Sequence, residues 1–282
     1  MIRNVRVWIL ASLVALRPLP AQRWHLVWSD EFDGPAGARV DSTKWRYALG
    51  DGCAINLCGW GNAEREYYGD EPSNVSLNGK GQLVITARRA PLGLQCYYGP
   101  CGYVSGKITT QKRVDFQPGR VEARIKLPAG QGLWPAFWML GANIDSVGWP
   151  ASGELDIMEN RGSKPGITSS AVHGPGYSGA TPFAHEHTLG GRAFADDFHV
   201  FAVEWDSTAI RFFVDSVAHY TLKRAEAETR GKWVFDQPAF ININLAVGGI
   251  FDGDPRSDTE FPAAMVVDYV RVYRASADLK RR

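Results

Sequence analysis

From Trp24 onward the chain moves in short apolar–polar steps broken by turn residues. Residues 121–127 set Val121, Ala123, Ile125 and Leu127 against Glu122, Arg124 and Lys126. A period of two predicts a strand with one buried face and one wet face. The stretches 198–205, 210–214, 240–247 and 265–273 predict strands for the same reason. Asn78-Gly79, loosened by Lys80-Gly81-Gln82, separates Val75-Ser76-Leu77 from Leu83-Val84-Ile85-Thr86-Ala87 and reads as a hairpin. Helical periodicity is weak and confined to 222–228. With no linker, low-complexity run or internal repeat, the pattern predicts an all-β chain folded as a two-sheet sandwich.

One stretch departs from simple alternation. Gly153-Glu154-Leu155-Asp156-Ile157-Met158-Glu159-Asn160 holds three carboxylates within six residues. Leu155 and Ile157 fall on one face, Glu154 and Asp156 on the other, as expected of a sheet with a core behind it and a polar cleft in front. Glu159 has the wrong parity and would point into the core. A β-bulge near Ile157-Met158 absorbs one residue and returns it to the cleft. The two glutamate Cα atoms then lie about 13 Å apart at strand rise. Side chains leaning together bring their carboxyl groups to about 5–5.5 Å, the spacing of a nucleophile and an acid/base in a retaining glycosidase. Asp156, between them, can hydrogen-bond the nucleophile, and three clustered carboxylates must raise at least one pKa. The plainer readings are a solvated acidic strand or a calcium loop; the interleaved apolar residues and the nearby Trp134, Trp138 and Trp149 weigh against both.

The aromatic stretch before this one also alternates. Trp134, Ala136 and Trp138 share a face opposite Pro135, Phe137 and Met139, so two indoles flank a small residue and leave a slot with stacking walls. The alternative is that one of these tryptophans belongs to the core. Asn242 and Asn244 share a face opposite Ile241, Ile243 and Leu245, and buried asparagines need partners, which favours the cleft.

Composition narrows the class. With 282 residues, 45% hydrophobic and 12% aromatic, the chain can bury one large core. A formal net charge of +1 without basic or acidic blocks argues against nucleic acid and anionic membranes as partners, and a neutral aromatic surface suits an uncharged polymer. A monomer is expected. Residues 1–21 read as a secretory signal, with Arg3 and Arg6 before a ten-residue apolar run, leaving 22–282 as a single domain in a secreted or periplasmic protein. A buried N-terminal strand is the alternative. Cys53 and Cys58 are five apart, as are Cys96 and Cys101. Of three possible pairings, two local bridges clipping cleft-edge loops are favoured over a zinc site, whose usual spacing is shorter and whose histidines are missing here. His185-Glu186-His187 lacks metalloprotease spacing and reads as a polar loop.

Ser152-Gly153-Glu154-Leu155-Asp156-Ile157-Met158-Glu159 resembles the signature of glycoside hydrolase family 16 in its bulged, laminarinase-type form. The likeness extends over about 24–274 through Trp28-Ser29-Asp30-Glu31-Phe32, Gly59-Trp60-Gly61-Asn62-Ala63-Glu64, 133–140, Val172-His173-Gly174-Pro175-Gly176-Tyr177, 244–249 and 268–273. It implies a jelly-roll β-sandwich of two antiparallel sheets with a concave substrate cleft. It implies a retaining endo-β-1,3-glucanase with Glu154 as nucleophile, Glu159 as acid/base and Asp156 tuning Glu154, and no cofactor for catalysis. Trp134 and Trp138 are implied near the scissile bond, Trp149 at the rim, Asn62 and Glu64 on sugar hydroxyls, Asn244 on the cleft floor, and His173 close to the acid/base. A structural calcium is implied on the far face, near Glu31, Gly79 and Asp268, held by main-chain oxygens and one carboxylate; the alternative is that Asp268 only caps a strand end. Two departures stand out: Glu66 replaces a usual Gln, and Ile250-Phe251 replaces a usual Asn-Trp after Gly248-Gly249. The rival readings are a hydrolase of mixed-linkage glucan or agarose on this scaffold, and a non-catalytic β-glucan-binding protein, which has no need of both glutamates.

Overall fold

The computed structural model describes residues 23–276, so the secretory signal expected at 1–21 lies outside the described residues. Two sheets dominate. One has seven strands in the spatial order Phe183–Thr188, Ile167–His173, Glu154–Asn160, Leu133–Gly141, Ala239–Val247, Lys107–Thr109, Arg46–Tyr47, every neighbouring pair antiparallel. The other has ten, built around the long Ala263–Ala275 strand, which pairs with Arg120–Lys126, Trp24–Asp30 and Leu83–Arg89. The expected antiparallel sandwich is therefore present, with one exception: Glu66–Tyr68 runs parallel to Tyr103–Ser105. The predicted hairpin forms with Val75 opposite Ile85 and Leu77 opposite Leu83. The helical hint shrinks to a single turn, Arg224–Ala227.

Between the sheets, Val121, Ala123 and Ile125 from one side meet Phe137, Met139, Ile241 and Ile243 from the other in one continuous buried core. The face of 121–127 expected to be wet is only partly so. Glu122 is buried, taking both Arg120 nitrogens on Oε2 and the Tyr273 hydroxyl on Oε1. Ala239–Val247 is buried at all nine positions, because its even-numbered residues, which carry the asparagines, floor the cleft rather than face bulk water.

The sequence around the carboxylates dictates a local fault in the ladder. Against Leu133–Gly141, Phe137 pairs with Met158 and Trp138 with Asp156, so Ile157 is the extra residue. On the other side Asp156 pairs with Ala171 and Glu159 with Ser169, three steps matched by two. Ser170 Oγ donates to the Ile157 carbonyl at 2.8 Å, which satisfies a group the bulge leaves out of register. Ile157 and Met158 both point into the core, at 1% and 0% exposure. Burying two such side chains is worth about 1.5–3 kcal/mol each, which favours the bulge over any register that exposes one of them. Gly153 enters this strand at φ +76°, where a Cβ would lie 2.8 Å from Phe235 and 2.9 Å from Val234.

Both local disulfides are formed, Cys53–Cys58 and Cys96–Cys101. Their loops dock on each other: the Tyr97 amide donates to Asp51 Oδ2 at 2.6 Å, and Tyr97 covers Gly59.

Deleting Met158 converts 154–159 into a regular strand that keeps all three carboxylates on one face. We expect this variant to fold with a smaller loss of Tm than a variant with one alanine inserted after Ile157. Thermal unfolding of the two proteins checks this, and a deletion variant that fails to fold counts against it.

Candidate active site

The bulge sets the three carboxylates in one row. Asp156 lies opposite Trp138 and Glu159 opposite Ala136, the small residue in the indole slot. Asn242 and Asn244 continue the row behind Trp138 and Ala136, followed by Thr109 and Lys107. Each glutamate receives one indole N–H: Trp149 Nε1 donates to Glu154 Oε2 at 2.6 Å, and Trp134 Nε1 donates to Glu159 Oε1 at 2.9 Å. Trp149 is 48% exposed, whereas Trp134 is nearly buried in the cleft wall.

His173 stands opposite Glu154 in the register, its Nε2 lies 3.1 Å from Asp156 Oδ2, and it is near enough to Glu159 to lower that pKa as well. It therefore acts on the central carboxylate, which also hydrogen-bonds Glu154.

Asn62 and Glu64 reach the site by another route. The Glu64 segment bridges to Gly248 beyond the end of Ala239–Val247, and the Arg65 amide donates to the Val247 carbonyl at 2.7 Å. Glu64 accepts from Asn62 Nδ2 at 3.0 Å and from the Tyr68 hydroxyl at 3.1 Å. Tyr68 in turn accepts from Asn244 Nδ2 at 3.1 Å, and Asn244 Oδ1 accepts from Trp138 Nε1 at 2.7 Å. One chain of hydrogen bonds thus links Asn62 to the tryptophan facing Asp156.

Sequence reasoning missed three contributors. Lys107 stands on the cleft floor with its ammonium 4.1 Å from the Trp60 ring centre and 4.8 Å from that of Trp138, a cation boxed by aromatic faces. Burial lowers its pKa, while Glu64, Glu66 and Glu154 oppose that shift. Phe251, noted only as a departure, packs 4.9 Å from Trp134, and the Arg161 guanidinium lies 4.3 Å above it. The alternation around Ile108 was the one available sign of Lys107; nothing local marked Arg161.

Burial is the largest cause of the carboxyl shifts. It pushes Asp156 up to about 7. Burial, then the charge of Asp156, pushes Glu154 and Glu159 each up to about 8. His173 and the two indole N–H groups act the other way. Groups this close titrate as a set, holding protons near neutral pH that isolated carboxyls would release.

The carboxylates named near the implied calcium pair with arginines: Glu31 forms a two-pronged pair with Arg271 at 2.8 and 3.0 Å, and Asp268 binds Arg124 at 2.8 Å. Gly79 packs on Ala36. Among the described residues no three His, Cys, Asp or Glu side chains are grouped to hold a metal ion.

A β-sandwich carrying a row of carboxylates in a tryptophan-walled cleft is the architecture of a polysaccharide-directed glycoside hydrolase. The chain belongs to glycosyl hydrolases family 16, whose model matches residues 64–271. It is 39% identical to the beta-glucanase of Rhodothermus marinus over 262 residues, covering 90% of this chain and 86% of that one. It is 37% identical to glucan endo-1,3-beta-glucosidase A1 of Niallia circulans, covering 89% of this chain but spanning only 38% of that protein. The endo-beta-1,3-glucanase structure from Pyrococcus furiosus superposes with a TM-score of 0.85 at 44% identity, covering 91% of this chain and 97% of that one.

The raised carboxyl pKa values carry a stability cost with a defined sign. Between about pH 4.5 and 8 the folded protein binds protons that the unfolded chain has released, so stability falls as pH rises through this window. Glu159→Gln removes one such group. We expect its Tm to exceed wild type by about 4 °C or more near pH 8.5, with the gap closing near pH 4. Thermal melts across pH check this, and a gap that does not change with pH contradicts it.

Proposed function

We propose that this protein is a retaining endo-β-1,3-glucanase that cleaves laminarin-like glucans by double displacement. The observation that carries the reading is the pairing of Glu154 and Glu159 on one face of a bulged strand, each with its own indole N–H. Protonated Glu159 gives its proton to the glycosidic oxygen while ionised Glu154 attacks the anomeric carbon. The leaving chain departs with that proton, and a glycosyl–enzyme ester remains. Glu159, now a carboxylate, takes a proton from water, whose oxygen attacks the same carbon and releases Glu154. Asp156 shares a hydrogen bond with Glu154 and so tunes which of the two holds the proton. The Trp149 N–H favours the ionised nucleophile.

Trp134 and Trp138 supply indole surfaces against which sugar C–H faces pack. Asn62, Glu64 and Lys107 supply hydrogen-bonding groups along the same cleft. The β-1,3 linkage is supported by the names of the relatives rather than by any one residue. The two disulfides support an exported protein. Among the described residues no helix is long and apolar enough to cross a membrane.

Laminarin, lichenan, agarose and carrageenan offered in parallel test the substrate, with the anomeric form of the first product read by NMR. Hydrolysis of laminarin with the β-anomer released first is expected; release of the α-anomer contradicts a retaining mechanism. Glu154→Ala is expected to lower kcat by about four orders of magnitude or more with the fold intact, and azide to restore part of it as α-glycosyl azide, formed by a single inversion from the face Glu154 occupied. Wild-type turnover in folded Glu154→Ala sinks the assignment.

Activity should also fall as pH rises through about 8, where Glu159 loses the proton it must donate. The resemblance implies a structural calcium held by main-chain oxygens near Glu31 and Gly79 together with the Asp268 carboxylate, so chelation is expected to lower Tm. An unchanged melting curve after thorough metal removal, with no metal detected beforehand, contradicts it.

A further inference from the structure

Glu66 is a buried carboxyl beside the cleft that the proposed chemistry does not use. It lies on the same alternation as Glu64 and Tyr68, all three buried, and its own exposure is 0%. Its Oε2 accepts the Val247 amide at 2.7 Å, which joins its strand in the ten-stranded sheet to the end of a cleft strand. Its Oε1 is buried with no donor. Its hydrogen-bonding neighbour is Glu64, itself a carboxyl whose two oxygens already hold Asn62 and Tyr68. Two ionised carboxylates in contact, shut away from water, repel each other strongly, and an acceptor without a donor adds its own cost. One proton placed between them removes both penalties.

We propose that Glu66 is held as a neutral carboxylic acid that donates its proton to Glu64, making it a positioning residue for the sugar-binding wall of the cleft. The proposal rests on the glucanase reading above for its effect on substrate, though not for the protonation itself. The hydrogen-bond chain explains how the effect spreads. Glu64 orients Asn62 and Tyr68, Tyr68 orients Asn244, and Asn244 holds the Trp138 N–H. Ionising Glu66 sets a second negative charge against Glu64 and disturbs that chain from its buried end.

The charged and titratable groups facing Glu66 are few. Glu64 and Tyr68 lie on its own segment, Lys107 on the neighbouring cleft strand, and Tyr98 on the Cys96–Cys101 loop. Arg65, next in sequence, turns away to Asp254. Lys107 is the single cation among them, and it also faces Glu64 and Glu154. Burial first, and then Glu64, favour the protonated form of Glu66.

Glu66→Gln keeps a neutral donor in this place, and Glu66→Ala removes it. At pH 6 the Gln variant is expected to match wild-type KM for laminari-oligosaccharides within about twofold, and the Ala variant to raise KM about tenfold or more with kcat changed far less. As pH rises toward 9, wild-type KM should climb while that of Glu66→Gln stays flat. Infrared difference spectra of wild type minus Glu66→Gln should show a protonated-carboxyl C=O band near neutral pH that shifts in D2O. This readout needs no substrate, so it separates failure of the present inference from failure of the glucanase reading. Absence of that band, or a Glu66→Gln variant as impaired at pH 6 as Glu66→Ala, overturns the proposal.

Discussion

The protein turns on one extra residue in one strand. Without the bulge at Ile157, Glu159 would be driven into the core or Met158 out of it, and neither alternative is cheap. Seating Ile157 and Met158 side by side against the second sheet ties the carboxylate face to the core. The same apolar contacts that hold the sandwich together decide where Glu159 points. The Ser170 hydroxyl on the Ile157 carbonyl closes the fault, so the ladder resumes within two residues.

From that constraint the electrostatics follow. Three carboxyls placed on one face of a buried strand cannot all ionise, and the site holds protons near neutrality because desolvation outweighs the favourable contacts from His173 and the indoles. Such a cluster works against folding at the pH where it is most useful. The compensation comes from the tightly packed core behind it rather than from the site. Farther along the cleft the theme repeats in Glu64 and Glu66, which both face the Lys107 ammonium.

Much of this was legible from residue order, because alternation and parity are local properties. The carboxylate triad, the need for a bulge, the grouping of Trp134 with Trp138 and the paired asparagines all follow from counting along one strand. What escaped depends on which strands become neighbours. Lys107 meets Trp60 and Trp138 only because three distant segments converge, and Arg161 finds Phe251 only after the 247–251 turn folds back. The resemblance brings His173 near Glu159, but its place opposite Glu154 and its contact with Asp156 come from strand pairing. The partners of Glu31 and Asp268 were hidden for a related reason: the sheet alone brings Arg271 and Arg124 to them.

The two disulfides have a further consequence. Each joins cysteines five residues apart, and neither connects one sheet to the other. Closing so short a loop constrains the unfolded chain little, so the bridges add less to global stability than long-range ones do. What they restrain is the pair of docked loops beside the Asn62 segment. A chain kept in a reducing compartment can therefore still close its sandwich and align its carboxylates. Oxidation stiffens one wall of the groove, and redox state becomes a control on grip at that end rather than a condition for folding.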